Sequence, residues 1–276
     1  MQVYLEGIGL RGPGLPDWDT AQPILAGMIG YEPAPIILKA SDLLPRAEQR
    51  RTTDAVKLAM VVASEAALGA GRNPASMSSV FASSDGDGAT LSAILEALLL
   101  PERQVSPTQF HNSVHNAPAG YWSMATQSRE NSTSLSAYDC SFAAGFIEAA
   151  GQATIEDKAT LLVIYDLPCP QPLYATRPLV LVFGAAMILS PHATPHSIAN
   201  LTLGLDRVGA EESSMPGIEL ETLRTGNPAA RALPLLASVA RGEPSAIVLR
   251  HVGGNNLRIQ VTPCRMSLLR DVALDR

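Results

Sequence analysis

The sequence is poor in cysteine, has no long apolar segment and carries no excess of positive charge. Its three cysteines, Cys140, Cys169 and Cys264, follow no spacing pattern, so we expect free thiols in a reducing cytoplasm and not a disulfide framework. The longest uncharged apolar run, Leu179–Leu189, is too short to cross a bilayer. The net charge of −6 and the pI near 5.4 argue against nucleic acid or an anionic membrane surface as a partner.

The sequence does contain enough apolar material for a substantial core, since 46% of its 276 residues are hydrophobic. Strand-like and helix-like segments alternate along the chain, which predicts a layered α/β domain. The longest predicted helix is Arg46–Leu68, and Leu179–Leu189 is predicted to be a strand. The last two predicted strands, Ala246–Arg250 and Leu257–Val261, are separated by a glycine-containing turn and add an antiparallel pair.

The segment Ser134–Ala150 (SLSAYDCSFAAGFIEAA) predicts a strand that turns directly into a helix. A strand is expected at Ser132–Tyr138, and the apolar spacing that starts at Phe142 is typical of a helix packed along one face. A sharp turn of this kind presents a side chain at a helix N-terminus, where free N–H groups favour negative charge. Such a turn is a suitable position for a nucleophile.

A second segment, Ser106–Gly120 (SPTQFHNSVHNAPAG), precedes this turn. Together the two segments resemble the ketosynthases of the thiolase-like superfamily. In that family the turn holds a cysteine, whose thiolate takes up an acyl chain as a thioester. When Ser106 and Asn116 are set on the ketosynthase pattern, the segments align without gaps and Asp139 falls at the nucleophile position.

Within this superfamily the chain resembles the ketosynthase-like chain length factors of aryl polyene (xanthomonadin-type) biosynthesis. The matching stretches are LPDW, LLPRAEQRRTTDAVKLA, ASSDGDGATL, FHNSVHNAPAGYWSMA and SAYDCSFAAGFIEAA. The resemblance implies an α/β half-thiolase fold, a layered mixed sheet with helices on both faces. It also implies one half-thiolase domain over residues 1–276, with a ketosynthase-like core in 1–175 and completing strands and an extension in 176–276.

No catalytic residue is expected in this interpretation. Asp139 cannot replace a thiolate, because an acylated carboxylate is a mixed anhydride that water attacks readily; we expect it to cap the helix that follows. Condensation also needs two histidines from the second half of a ketosynthase, and His192, His196 and His251 lie in no such motif. The alternative is an active condensing enzyme that uses Cys140, one residue further along.

The resemblance implies a subunit that forms a heterodimer with a ketosynthase and contacts the acyl carrier protein only indirectly. In isolation the chain could also form a homodimer through an exposed edge strand. Residues near the Ser106 segment and the turn would line the partner's acyl tunnel or the subunit interface. These candidates are Gln109, Phe110, His111, Asn116, Tyr121 and Tyr138.

Other motifs do not support a cofactor or a metal. The Gly86 and Gly88 turn lacks the Gly-Lys-Ser/Thr ending of a phosphate-binding loop and the full dinucleotide fingerprint. His111 and His115 have the i, i+4 spacing of a metal-binding pair but no third ligand in the sequence pattern. The basic cluster beginning at Arg46 has two interpretations, a contact for an acidic carrier protein or a solvated helix face.

Overall fold

The computed structural model describes residues 1–207 and 210–264. Within these ranges the chain forms one mixed sheet with helices on both faces. The strands are β1 (Gln2–Arg11), β2 (Ser78–Ala82), β3 (Ser132–Leu135), β4 (Thr160–Asp166), β5 (Phe183–Ser190), β6 (Ala199–Arg207), β7 (Ser245–Arg250) and β8 (Asn255–Pro263). The helices are α1 (Trp18–Leu25), α2 (Arg46–Gln49), α3 (Asp54–Gly69), α4 (Gly88–Leu99), α5 (Pro107–Asn112), α6 (Ala117–Thr126), α7 (Ser141–Ile155), α8 (Leu173–Thr176), α9 (Ile218–Gly226) and α10 (Leu233–Arg241).

The eight strands are arranged in the order β3-β2-β4-β5-β1-β6-β8-β7. The first three strands of this order are parallel, and every other neighbouring pair is antiparallel. The predicted antiparallel pair is confirmed as β7 and β8, with Ile247 opposite Ile259. The parallel part therefore forms one end of the sheet, and β3 is its edge strand.

Alternation along the central strands divides the core between the two faces of the sheet. On β4, Leu161 and Val163 belong to the cluster that contains α3 and α6, whereas Leu162 and Ile164 belong to the cluster that contains α7 and α10. Both faces are covered, so the uniformly apolar sequence of β4 is explained by burial on two sides. The predicted α/β architecture with helices on both faces is confirmed.

The helix α7 lies close to the sheet because its sequence is rich in small residues. A Cβ atom at Gly145 would lie 2.8 Å from the Cβ atom of Ala82 in β2 and 3.2 Å from a methyl carbon of Leu162 in β4. The glycine thus allows a close approach that no larger residue would permit without displacing the helix. This approach fixes the turn between β3 and α7 relative to the carboxyl ends of β2 and β4.

Several predicted boundaries are wrong. The predicted helix Arg46–Leu68 is two helices, because Thr53 is extended (φ −86°, ψ 171°) and its side chain accepts a hydrogen bond from the N–H of Val56 as the N-cap of α3. The predicted strand Leu179–Leu189 begins only at Phe183, and the strand predicted to reach Tyr138 ends at Leu135. Residues 265–276 of the predicted extension lie outside the described part of the chain.

Among the described residues, no helix has the length and apolar character needed to cross a membrane.

Candidate functional site

The turn between β3 and α7 has a compact geometry fixed by Ser141. The hydroxyl group of Ser141 accepts a hydrogen bond from the N–H of Ala137 (3.0 Å) and donates one to the carbonyl oxygen of Tyr138 (2.7 Å). Tyr138 has a positive φ of 54°, a conformation that is uncommon for a bulky residue. We call the turn Tyr138–Cys140 the elbow; its strand-to-helix geometry matches the one expected from the sequence.

Asp139, at the predicted nucleophile position, faces two arginines. Its Oδ1 atom lies 2.8 Å from Nη1 of Arg177, and its Oδ2 atom lies 4.0 Å from Nη2 of Arg231. The predicted capping role is wrong, because Cys140 is the N-cap residue of α7 and makes no side-chain capping bond. Charge-assisted contacts to guanidinium groups are stronger than bonds to neutral helix N–H groups, which explains where the carboxylate points.

Arg177 connects the elbow to the turn that follows β2. Its Nε atom donates to Oδ2 of Asp85 at 3.2 Å, and its Cζ atom lies 3.7 Å from the centre of the Tyr138 ring. A guanidinium group at this distance over an aromatic ring makes a cation–π contact. The Arg177 side chain is only 15% exposed, so it fills the space directly beside the elbow.

Arg231 extends the charged network into the second part of the chain. Its Nη1 atom donates to Oε1 of Glu212 at 3.0 Å, and the same oxygen lies 3.2 Å from Nη1 of Arg224. Arg224 in turn donates from Nε and Nη2 to Glu221 at 2.8 and 2.7 Å. The network therefore joins the elbow to the segment 212–231, which the family resemblance did not single out.

Cys140, the alternative nucleophile, does not have the environment of a reactive thiol. Burial, and secondarily the charge of Asp139, raise the pKa of its thiol, although the neighbouring Arg231 acts in the opposite direction. A nucleophilic cysteine needs a lowered pKa so that the thiolate is present. Within residues 1–207 and 210–264, no hydrogen bond or ion pair joins a histidine to Cys140.

Three of the five histidines make contacts in separate places. His111 packs edge-on against Tyr121, with ring centroids 5.9 Å apart, and His115 Nε2 lies 3.1 Å from the carbonyl oxygen of Ser83. Because α5 ends at Asn112, His111 and His115 do not share a helix face. His192 pairs with Asp157 at 2.6 Å in an exposed position. The described residues hold no group of three or more His, Cys, Asp or Glu side chains that could bind a metal ion.

Four of the six predicted tunnel or interface residues lie together. Phe110, His111, Asn116 and Tyr121 line one cavity of about 420 Å³ formed by α5, α6 and the link between them. Phe110 is 69% exposed, whereas Tyr121 is 1% exposed, so the first presents an apolar ring to the outside and the second forms the cavity's inner wall. We call this cavity the α5–α6 cavity.

The other two predicted residues lie elsewhere. Gln109 lines a separate cavity of about 440 Å³ beside Gly86 and Asp87, and Tyr138 lies at the elbow beneath Arg177. A groove of about 510 Å³ shares Asn116 with the α5–α6 cavity and extends to Ser134 of β3. The predicted candidates thus do not form a single pocket.

The outer edge of β3 is open, whereas the opposite edge of the sheet is covered. On β7, Val248 N–H donates to the Ser213 hydroxyl and Val248 C=O accepts from Ser213 N–H, at 3.0 and 2.8 Å. On β3, the bonds from Ser79 N–H to Asn131 and from Ser83 N–H to Leu135 point inward to β2. Alternate residues of a strand direct their backbone N–H and C=O groups to opposite sides, so Ser134 directs its groups away from β2. No described residue forms a backbone hydrogen bond with these groups of Ser134.

Sequence reasoning missed the two arginines that contact Asp139 and one buried aspartate, Asp166. Arg177 and Arg231 belong to no recognisable motif, and they reach Asp139 only through the packing of distant segments. Asp166, at the end of β4, accepts hydrogen bonds from Ser83 and Ser84 of the turn after β2. A polar residue that ends a buried apolar strand is the one sequence signal that could have indicated Asp166.

Comparison with known proteins identifies the family of this chain. The profile of the beta-ketoacyl synthase N-terminal domain matches residues 21–232, most of the chain. The chain belongs to the beta-ketoacyl synthase family. A comparison with curated protein sequences finds no match. The fold is therefore the thiolase-like fold of the beta-ketoacyl synthases, with an aspartate at the position where the resemblance places the reactive cysteine.

Solved structures of beta-ketoacyl synthase proteins share this fold at low sequence identity. One is the ketosynthase ApeO in complex with its chain length factor ApeC from Xenorhabdus doucetiae, with a TM-score of 0.69, 20% identity and coverage of 94% of this chain and 99% of that chain. Another is the ishigamide ketosynthase/chain length factor, with a TM-score of 0.68, 12% identity and coverage of 95% and 99%. A third is the complex of AntDE with the acyl carrier protein AntF, with a TM-score of 0.71, 11% identity and coverage of 95% and 99%.

Proposed function

We propose that this protein is a non-catalytic chain length factor that pairs with a catalytic ketosynthase and shapes its acyl tunnel in a type II polyketide or aryl polyene pathway. The observation that carries the proposal is the ion pair between Asp139 and Arg177 at the nucleophile position of the elbow. A carboxylate held between two arginines keeps the elbow in shape but offers no thiolate to accept an acyl group.

The chemistry of the elbow supports this role. Arg177 and Arg231 stabilise the negative charge on the Asp139 oxygens, and a carboxylate is already a poor nucleophile toward a thioester. Burial raises the pKa of the Cys140 thiol, which disfavours the thiolate that a nucleophile needs. Decarboxylative condensation also requires donors that stabilise a developing oxyanion, and the contacts given for His115 and His192 are to Ser83 and Asp157, away from Cys140.

The surface around β3 supports pairing with another subunit. An open strand edge offers backbone donors and acceptors to a partner strand, and the α5–α6 cavity beside it exposes the ring of Phe110. A partner subunit seated on β3 would cover this ring, and its acyl tunnel would pass the cavity. Among the structural neighbours, ApeO is a ketosynthase in complex with its chain length factor ApeC.

The proposal is tested by assaying the chain alone and after co-expression with a catalytic ketosynthase of the source organism. Acyl and malonyl groups on the carrier protein are supplied, and elongated products are measured by mass spectrometry. We expect no condensation by the isolated chain and condensation by the co-purified pair. In the pair, Cys140→Ser leaves the rate unchanged, whereas alanine at the partner's reactive cysteine abolishes it.

The alternative function, an active condensing enzyme that uses Cys140, makes the opposite prediction. The observation that favours this function is that Cys140 is the N-cap residue of α7 and that the charge of Arg231 favours its thiolate. Two results together would overturn the proposal that the chain is a chain length factor. The isolated chain would catalyse a condensation that disappears in Cys140→Ser, and an electrophilic ketosynthase inhibitor would form a covalent adduct on Cys140.

A further inference from the structure

Asp166, the last residue of β4, is buried (1% exposed) and holds the turn that follows β2. Its Oδ1 atom accepts three hydrogen bonds, from Ser83 Oγ (2.9 Å), Ser84 N–H (2.8 Å) and Ser84 Oγ (3.0 Å). Its Oδ2 atom is also buried but has no hydrogen-bond partner. One oxygen of this carboxyl group is therefore fully used, and the other has no donor.

The turn that Asp166 holds, residues 83–88, reaches three parts of the candidate site. The carbonyl oxygen of Ser84 accepts from Ser136 Oγ at 2.8 Å, just before the elbow. The carbonyl oxygen of Ser83 lies 3.1 Å from Nε2 of His115. Asp85 accepts from Arg177, which also holds Asp139. A movement of this turn would therefore reach the elbow through Ser136 and through Arg177.

The surroundings of Asp166 stabilise its neutral form. Burial raises the pKa of Asp166 to about 7 and is the largest cause of the shift. The hydrogen bonds from Ser84 and Ser83 lower this pKa, and the charge of Asp85 raises it further. The titratable and charged groups that face this site from the elements around it are Asp85, Asp87, His115, Tyr165, Cys169 and Arg177.

We propose that Asp166 is a proton-dependent anchor of the 83–88 turn, which holds the turn in place while protonated and releases it, together with its contacts to the elbow, when ionised. A neutral carboxyl group tolerates burial with one oxygen unpartnered far better than an anion does. The three donors act on Oδ1 alone, so the charge that develops on Oδ2 has no compensation. A donor reaches Oδ2 only if the packing of the 83–88 turn opens.

Two donors could reach an ionised Oδ2 atom once the turn opens. Solvent is one, and the other is Nη2 of Arg177, which is itself buried without an acceptor. Either movement weakens the bond between Arg177 and Asp85 or the one between Ser84 and Ser136. The anchor is a property of the isolated chain, so it does not depend on the proposed pairing with a ketosynthase.

Amide hydrogen exchange of the full chain tests this anchor. Exchange is followed in a peptide that covers residues 83–88 from pH 5.5 to 8.5, after correction for the intrinsic pH dependence. We expect protection to fall by ~10-fold per pH unit between the ordinary pKa of an aspartate and the raised pKa of Asp166, about 7, and to level off above it. Asp166→Asn, which keeps an uncharged group of the same shape, is expected to remain protected at every pH. Asp157→Asn, at an exposed carboxylate, keeps the wild-type profile.

Two results would overturn the proposal. One is protection of residues 83–88 that does not change with pH in the wild-type chain, and the other is a pH step that persists in Asp166→Asn. Should that variant fail to fold, ¹³C NMR of the labelled wild-type carboxyl groups replaces it. An Asp166 resonance that titrates near 7 supports the anchor, whereas one that titrates below 5 contradicts it.

Discussion

Nη1 of Arg177 lies 2.8 Å from Oδ1 of Asp139. The Cζ atom of the same arginine lies 3.7 Å from the centre of the Tyr138 ring. The arginine comes from the segment between α8 and β5, and the aspartate and tyrosine come from the elbow. One side chain thus pairs with the carboxylate of Asp139 and covers the ring of the residue before it. In this member of the beta-ketoacyl synthase family, an ion pair between Asp139 and Arg177 stabilises the elbow.

Loss of Arg177 is expected to destabilise the chain. Arg177→Met removes the partner of Asp139 and Asp85 and leaves both carboxylates near an apolar side chain. Because Asp139 is 40% exposed, we expect a loss of about 1–3 kcal/mol in the free energy of unfolding, below the range for a fully buried pair. Urea unfolding followed by circular dichroism measures it.

Arg177→Lys and Arg129→Met are the controls for this variant. The lysine keeps the charge but loses the planar fork, so its loss should be the smaller of the two Arg177 variants. Arg129 is exposed, and its replacement should change the stability by less than ~0.5 kcal/mol. Equal stability of Arg177→Met and the wild-type chain would show that the elbow does not depend on this arginine.

The stability of the chain is expected to fall as the pH rises from about 4 to 7. The pKa of Asp166 is raised to about 7 in the folded state, and the usual value in an unfolded chain is ~3.9. Between these values the folded state binds the proton that the unfolded state has lost, so each increase in pH favours unfolding. The largest contribution from this shift is on the order of 4 kcal/mol.

Asp166→Asn should remove this contribution. The asparagine can still accept from Ser83 and Ser84 through its side-chain oxygen, and it carries no titrating group. Its free energy of unfolding should therefore vary less between pH 5 and 8 than that of the wild-type chain. Parallel pH profiles for the two proteins in urea unfolding would contradict the assignment of the raised pKa to Asp166.

Phe110→Ala is expected to change the products of the complex and not the stability of the chain. Phe110 is 69% exposed, so its truncation should alter the free energy of unfolding by less than ~0.5 kcal/mol. A smaller side chain at the α5–α6 cavity leaves more room for the acyl chain of a ketosynthase partner. We expect longer products from the co-purified pair, measured by liquid chromatography and mass spectrometry.

Tyr121→Ala is the contrasting variant at the same cavity. Tyr121 is 1% exposed, and its truncation should cost about 3–5 kcal/mol, the range for a buried aromatic residue. An unchanged product distribution in Phe110→Ala would show that Phe110 does not limit the acyl chain.

Proline substitutions in β3 are expected to separate partner binding from folding. The N–H group of Ser134 points away from β2, so Ser134→Pro should leave the chain folded and weaken pairing with another subunit. The N–H group of Thr133 points toward β2, and Thr133→Pro should therefore unfold or strongly destabilise the chain. Co-purification with the ketosynthase measures pairing, and circular dichroism measures folding. Full retention of the partner by Ser134→Pro would argue against pairing through β3.

Local sequence patterns were sufficient to predict most of the fold. The apolar run of β4 and the small-residue face of α7 set the layers, and the turn at Tyr138–Cys140 follows from the change of period between strand and helix. Boundaries were less predictable where a single residue decides them. Thr53 divides the predicted long helix because its hydroxyl group caps α3, and nothing in the apolar periodicity around it marks this interruption.

The sequence by itself determined the class of fold and the family resemblance, because each depends on residues close together in the chain, and it led to the prediction that Asp139 takes the nucleophile position. Only the tertiary structure decided what Asp139 contacts. Arg177 and Arg231 arrive from separate segments, and an ion pair between distant residues leaves no periodic signal in a sequence. The same holds for Asp166, since burial and its bonds to Ser83 and Ser84, which act on its pKa, exist only after the sheet has formed.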